Sequence, residues 1–381
     1  MIIGIPREIQ EHELRVSATP ETIKKLIKLN HSVLVEKDAG SGSFISNDGY
    51  KNSGAKIVDS SDEIHSQSDI ILKVNPPKKI ELEKIKDRIS IISFFQIKDQ
   101  VELLNQYISK QITYLSMSHI PRTTLAQKMD ALSSQSNIAG YKSVIIGADL
   151  ISSYMPLLMT AAGTIQPAKI LILGAGVAGL SAIATAKRLG AQVFAFDVRT
   201  AVKEQVESLG AKFIEVKTDT DEGTGEGGYA KEVSEEYKKK QFALIEDEIK
   251  KMDLVITTAL IPERPAPILI TSRMVESMKK GSVIMDLAAI NGGNCELTQV
   301  DKTINHNGIQ INGSSNIVSS MSIHASQLYS KNIYNFFEHI YNKENSFLNI
   351  EDEITKGSML FEQGVVKNDN INKFLNTEDI K

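Results

Sequence analysis

Short apolar runs alternate with helical patterns through the first third of the chain. Residues 2–5, 32–36, 70–74, 89–94 and 113–116 are brief runs rich in Ile, Leu and Val, and they predict strands. PETIKKLIKL at 20–29 predicts a helix, with Thr19 as N-cap, Pro20 at the first position and Glu21 early in the first turn. Such alternation builds a mostly parallel sheet with helices on both faces. A longer helical pattern follows at 133–153, where Ile138, Tyr141, Ile145, Ala148 and Ser152 share one mostly apolar face until Pro156 interrupts it. It reads as a connector into a second strand–helix series, with strands predicted at 169–173, 192–196, 212–215, 254–257, 283–286 and 309–311. A helical pattern at 324–341, carrying Leu328, Ile333, Phe336, Phe337 and Ile340, returns the chain to the first domain. The last thirty residues, rich in Asn, Asp, Glu and Lys, read as a surface-lying tail.

Composition narrows the picture. A chain of 381 residues holds two or three domains at roughly 150 residues each. Lys plus Arg is 43 and Asp plus Glu is 47, a net charge of −4 that speaks against coating nucleic acid or an anionic membrane. The single cysteine, Cys295, excludes an intrachain disulfide and any multi-cysteine metal site. It has no His or basic neighbour in sequence and reads as an inert or buried thiol; no metal-ligand cluster is expected. The start, MIIGIPREIQEHE, lacks the features of a signal peptide. The longest uncharged stretch, 170–186, contains three glycines and opens as a strand, so it predicts a buried strand and helix and no membrane insertion. TDTDEGTGEGG at 218–228 is acidic and without apolar residues, which predicts a mobile loop; an insertion with no role is the alternative.

Gly174-Ala175-Gly176-Val177-Ala178-Gly179 is a G-x-G-x-x-G that follows the strand KILIL and opens the helix LSAIATAKRLG. The next strand ends at Asp197, 18 residues after Gly179. In that context the motif predicts dinucleotide binding. Gly174 permits the tight turn, Gly176 lets backbone approach a pyrophosphate, and Gly179 lets the helix pack on the sheet. The helix N-terminus offers N–H groups to phosphates. Asp197 accepts from the adenosine ribose hydroxyls and repels a 2′-phosphate, which favours NAD over NADP; Arg199, two residues on, pulls the other way. The expected fold is α/β, two Rossmann-like doubly wound parallel-sheet domains joined by long helices. The first domain is placed at 1–132 plus 325–381 and the second at 133–324, connector included.

Several longer stretches then point to one family. PRTTLAQKMDALSSQSNIAGY, MTAAGTIQPAKILILGAGVAGLSAIATAKRLGAQVFAFDVR, EQVESLGAKF, GGYAKE, TTALIPERPAP and MDLAAINGGNCEL resemble the NAD(H)-binding domain of proton-translocating nicotinamide nucleotide transhydrogenase, in the alanine dehydrogenase/transhydrogenase family. The resemblance runs from Ile2 to about Phe337, and it looks like the separately encoded first alpha subunit found in some bacteria. It implies hydride transfer between NAD(H) bound here and NADP(H) on a partner subunit, coupled to proton movement by a membrane subunit. It also implies a homodimer that is cytoplasmic and peripheral on the inner membrane through its partners. By the same resemblance Arg122, Gln127, Asp130 and Ser133 form the site loop. Arg122, Thr123 and Thr124 lie near the nucleotide, and Gln127, Asp130 and Ser133 bind the carboxamide and ribose of the nicotinamide half. Val177, Asp197, Val198 and Arg199 hold the adenosine and pyrophosphate half. Gly228 and Gln241 flank the mobile loop, Tyr229 folds over the site, and Leu260 lines the cleft. Leu125 stands where the family often has a second arginine, and Val318 where a proline is common.

Hydride transfer between two nicotinamides needs no protein acid or base. The protein must hold the two reacting carbons within about 3–3.5 Å, aligned and dry. The Gln127 amide can donate and accept without adding charge beside a ring whose charge changes. On spacing alone, the Arg/Gln/Asp set reads rather as a polar, N-capping loop before the connector helix. Two rivals remain. The first is alanine dehydrogenase, whose substrate arginine, lysine and aspartate would fall at Arg15, Lys73 and Asp286. Its histidine position holds Gln96, so the proton carrier that amino-acid oxidation needs is missing there. Arg15 and Lys73 then read as structural ion-pair residues, and His65 and His119 as isolated histidines. The second rival is an NAD-binding regulator without turnover.

Overall fold

The computed structural model describes residues 1–216, 234–261, 264–342, 347–348 and 352–378. The chain divides into two compact units, Met1–Gln135 with Ser319–Lys381, and Ser136–Val318. Each is built on a mainly parallel sheet.

In the first unit six parallel strands lie in the order Lys56–Val58, Ser32–Glu36, Ile2–Ile5, Ile70–Leu72, Ser90–Ser93, Thr113–Ser116. The chain therefore winds outward from its first strand in both directions. Side-chain alternation fills both faces. Ile3, Ile5, Val33, Val35, Ile70 and Leu72 join one core, and Leu34, Ile71, Ile91 and Tyr114 join the other. The helix Pro20–Lys28 starts as expected, with Thr19 as N-cap. The helix Ser322–Ile340 buries Tyr329, Ile333, Phe336, Phe337 and Ile340, whereas Leu328 is exposed.

The C-terminal tail is a correction to the sequence reading. Met359–Glu362 pairs antiparallel with Thr113–Ser116 and extends the sheet, and Val365–Val366 pairs beyond it. Met359, Leu360, Phe361 and Ile371 are buried. The apolar run Met359–Phe361 is only three residues long, and its partner strand lies far away in sequence.

In the second unit the order is Lys212–Ile214, Gln192–Phe196, Lys169–Leu173, Leu254–Thr257, Val283–Asp286, Ile309–Asn312 and Thr303–His306, the last antiparallel. Ile170, Ile172, Leu254 and Ile256 fill one core, and Leu171, Leu173 and Val255 the other. Winding reverses between Lys169–Leu173 and Leu254–Thr257, which places the switch point at the end of the strand that enters the glycine turn.

The connector helix spans Ala131–Leu150, and the face its apolar residues mark is buried only in part, at Ile138 and toward Ala148. Gly140, Ser143, Val144 and Gly147 are buried, whereas Tyr141 is 41 % exposed. Small residues win because the contact is close. A Cβ on Gly140 would lie 2.0 Å from the Ala178 carbonyl oxygen, and one on Gly147 would lie 2.7 Å from Leu254. An unpredicted hairpin, Leu158–Thr160 with Gly163–Ile165, leaves Leu157, Met159 and Ile165 exposed.

Candidate functional site

The glycine turn does what its three glycines require. Gly174 has φ +102°, in the left-handed region, and a Cβ there would lie 2.5 Å from Thr258 Oγ1. A Cβ on Gly179 would lie 1.9 Å from the Gly174 carbonyl oxygen, so only glycine lets the helix sit against the turn. Gly176 differs, because a Cβ there would meet no atom within 4 Å. Its missing side chain leaves room above the backbone. The helix Val177–Arg188 has Gly176 as N-cap with no side-chain cap, so its first N–H groups are left for another acceptor. Val177 stands 37 % exposed beside them. An uncapped helix end with open space at the middle glycine fits a pyrophosphate.

Asp197 is buried at the end of the neighbouring strand, but its carboxylate is occupied. Oδ1 accepts from the Arg199 backbone N–H at 2.9 Å and from Arg199 Nε at 2.8 Å. Oδ2 accepts from Arg199 Nη2 at 2.7 Å and from the Ala175 N–H at 2.7 Å. Val198, between them, packs partly buried against the second core.

Sequence reasoning missed two residues that build the facing loop. Thr258 Oγ1 donates to the Gly174 carbonyl at 3.0 Å, across 84 positions. Asn294 is fully buried; its Nδ2 donates to the Ala259 and Pro267 carbonyls at 2.9 and 2.8 Å, and its Oδ1 accepts from the Ala259 N–H at 3.0 Å. Their only signal was a polar residue just after a buried strand or a glycine pair. The loop they hold leaves Leu260 44 % exposed. Gln241 sits on the buried face of the helix Glu235–Ile249 with Tyr237 and Ile245. Gly228, Tyr229 and the stretch 218–228 lie outside the described residues. Cys295 is buried, which pushes its thiol up to about 11, as an inert thiol requires.

The site loop of the first unit is a compact turn on buried anchors. Ala126 and Met129 are buried, and Asn332 and Asn335 donate to the Lys128 carbonyl at 3.0 and 3.1 Å. Arg122, Thr124 and Gln127 are exposed, Thr123 is half-buried, and Leu125 is 61 % exposed. Asp130 caps the connector helix: Oδ1 accepts from the Ser133 N–H at 2.8 Å and Oδ2 from Ser133 Oγ at 2.5 Å. The turn thus fixes Asp130 and Ser133 to each other and presents Gln127 to solvent.

The pattern described as "Alanine dehydrogenase/PNT, N-terminal domain" matches residues 4–139, and "Alanine dehydrogenase/PNT, C-terminal domain" matches residues 143–369. The chain belongs to the alanine dehydrogenase/PNT family. Among members, the first part of the NAD(P) transhydrogenase alpha subunit of Rhodospirillum rubrum is 44 % identical over 375 residues, 96 % of this chain and 97 % of that protein. NAD(P) transhydrogenase subunit alpha of Haemophilus influenzae is 44 % identical over 367 residues, 96 % of this chain and 71 % of that protein. The crystal structure of transhydrogenase from Sinorhizobium meliloti superposes with a TM-score of 0.86 at 42 % identity, covering 96 % of this chain and 100 % of that one. The alanine dehydrogenase of Mycolicibacterium smegmatis is more distant, 29 % identical over 77 % of this chain and 74 % of that protein.

Within the alanine dehydrogenase/PNT family, three residues decide how an amino-acid site compares. Arg15 is buried, with Nε and Nη2 on the two oxygens of Glu13 at 2.8 and 2.6 Å and Nη1 on Gln135 at 3.0 Å. Lys73 is buried, with its ammonium 2.7 Å from Glu81 and 3.6 Å from Glu8. Burial raises the Glu8 carboxyl, and Lys73 opposes that rise. Asp286 is buried and accepts from Thr257 Oγ1, Thr298 Oγ1 and the N–H groups of Ala288, Asn294 and Cys295. Each group therefore has internal partners, and Arg15 and Lys73 are the buried ion-pair residues the sequence suggested. Gln96 stands exposed after the strand Ser90–Ser93. His65 is buried, and His119 Nδ1 lies 2.8 Å from Ser116 Oγ.

Proposed function

We propose that this chain is the NAD(H)-binding subunit of a proton-translocating NAD(P)⁺ transhydrogenase. The observation that carries the reading is the Gly174–Gly179 turn with Asp197, in a chain 44 % identical over 96 % of its length to the first part of an NAD(P) transhydrogenase alpha subunit. Bound NAD(H) supplies the hydride donor or acceptor.

The residues then divide the labour. The N–H groups at the start of Val177–Arg188 hold the phosphates, and Gly176 gives them room. Asp197, Val198 and Arg199 take the adenosine end, with Val177 and Leu260 as apolar walls. Gln127 orients the carboxamide, since an amide donates and accepts without placing a net charge near the reacting ring. Arg122, Thr123 and Thr124 flank the nucleotide, and Asp130 with Ser133 sets the angle of the loop that carries Gln127. Gly228 and Gln241 are assigned to flank the loop whose Tyr229 is assigned to cover the site.

NADP(H) is assigned to a partner subunit and proton translocation to a membrane subunit. Among the described residues no helix is long and apolar enough to cross a membrane. The subunit is placed on the cytoplasmic side of the inner membrane through those partners. A homodimer is proposed as well; the hairpin with Met159 72 % and Ile165 49 % exposed offers an apolar surface for a second copy.

The test uses the purified chain alone. It should bind NADH and form no pyruvate from alanine plus NAD⁺. Steady pyruvate formation would overturn the reading in favour of alanine dehydrogenase.

A further inference from the structure

Asp197 and Arg199 form a closed pair at the place assigned to the adenosine ribose. The carboxylate accepts four hydrogen bonds, three of them from Arg199 and one from the Ala175 N–H. A carboxylate offers about four lone-pair positions, so none is left over. The side chains are 5 % and 15 % exposed, which limits solvent screening. The Ala175 bond is fixed by the glycine turn, so an incoming ribose diol must displace an Arg199 donor to reach Asp197.

We propose that Arg199 is a second specificity determinant of this site, a latent receptor for a 2′-phosphate whose charge Asp197 compensates and whose donors Asp197 occupies. The proposal rests on the dinucleotide reading above and deepens it. A guanidinium is the side chain best matched to a phosphate, because it presents paired donors in a fixed plane. Here that plane is spent on a carboxylate two residues away. A 2′-phosphate would have to break a bidentate pair and then lie against the freed carboxylate. Asp197 therefore acts twice: its charge repels the phosphate, and its oxygens occupy the arginine that would otherwise bind it. Removing only the carboxylate charge should free the same arginine to act as a ligand.

The experiment titrates 5′-ADP and 2′,5′-ADP into the full chain by calorimetry, for wild type, Asp197→Asn, Arg199→Gln and the double variant. Asn keeps an oxygen for the Ala175 N–H. Wild type should prefer 5′-ADP. Asp197→Asn should shift the affinity ratio toward 2′,5′-ADP by about tenfold or more, the worth of one charge-assisted hydrogen bond. Adding Arg199→Gln should remove most of that shift. A double variant that keeps the whole shift, or an Asp197→Asn protein with the wild-type ratio, overturns the proposal. Should Asp197→Asn fail to fold, Arg199→Gln alone decides: it exposes an uncompensated carboxylate and should sharpen the preference for 5′-ADP about threefold or more. An unchanged ratio in that variant overturns the proposal. Wild type that binds neither nucleotide would strike instead at the dinucleotide reading.

Discussion

Glu13 grips Arg15 by both carboxylate oxygens, at 2.8 and 2.6 Å, and the Glu13 side chain is 1 % exposed. Burial alone would raise that carboxyl. The hydrogen bonds and charge of Arg15, with Asn75 donating, outweigh it and hold Glu13 at about 2.

Glu13→Gln leaves a buried guanidinium without its counter-charge and should cost about 3 kcal/mol or more of unfolding free energy at pH 7. The folded pKa lies below the unfolded one, so wild type holds the benefit above about pH 4.5 and loses it as pH falls toward 2. Urea unfolding at several pH values checks this. The gap between wild type and variant should narrow below pH 5, and a gap that stays constant would refute the assignment.

A second pH effect comes from His31. It is 3 % exposed, its ring lies 5.2 Å from Phe337 and 4.4 Å from Tyr341, and among the described residues neither ring nitrogen has a hydrogen-bond partner. Burial, helped by the N-terminal ammonium, pushes it down to about 4. The unfolded chain then binds the extra proton between about pH 6.5 and 4, so stability falls as pH drops through that window. His31→Phe should flatten that part of the melting-temperature curve. A slope equal to wild type would remove His31 as its source.

Two glycines predict separable losses. Gly179→Ala drives a methyl into the Gly174 carbonyl and should weaken NADH binding by about tenfold or more, the cost of a displaced helix start. Gly140→Ala meets the Ala178 carbonyl and should destabilise by about 1–3 kcal/mol. Calorimetric titration with NADH and urea unfolding measure the two. Alanine tolerated at both sites without loss would contradict the tight packing described.

How much of this was legible in the sequence follows from the range of each interaction. The strands Lys169–Leu173 and Gln192–Phe196, the glycine turn and the first helix rest on local periodicity and backbone rules, and all were readable. Lys56–Val58 is three residues long and only one is buried, too little to register as a pattern. Met359–Glu362 depends on a distant partner strand. The connector helix misled in part because Gly140, Ser143 and Gly147 join Ile138 and Val144 in its buried seam, while Tyr141 is left exposed. Asn294 and Thr258 act through bonds to distant backbone, and the closure of Arg199 on Asp197 is a side-chain choice that no residue spacing specifies.

Gln127 carries the positioning role in the proposed reaction. Gln127→Asn shortens the amide's reach by one methylene and should lower the hydride-transfer rate about tenfold or more with little change in NADH affinity, as misplaced alignment does. Equal losses in rate and affinity would contradict that role.

The central claim is that hydride moves directly between the nucleotide on this chain and a nucleotide on another subunit. The decisive measurement mixes the purified chain with a purified NADP(H)-binding transhydrogenase subunit, adds NADPH and an NAD⁺ analogue, and follows the absorbance of the reduced analogue. Rapid reduction that requires both proteins is the predicted result. No reduction by the mixture, with both nucleotides bound to their own proteins, would contradict the account.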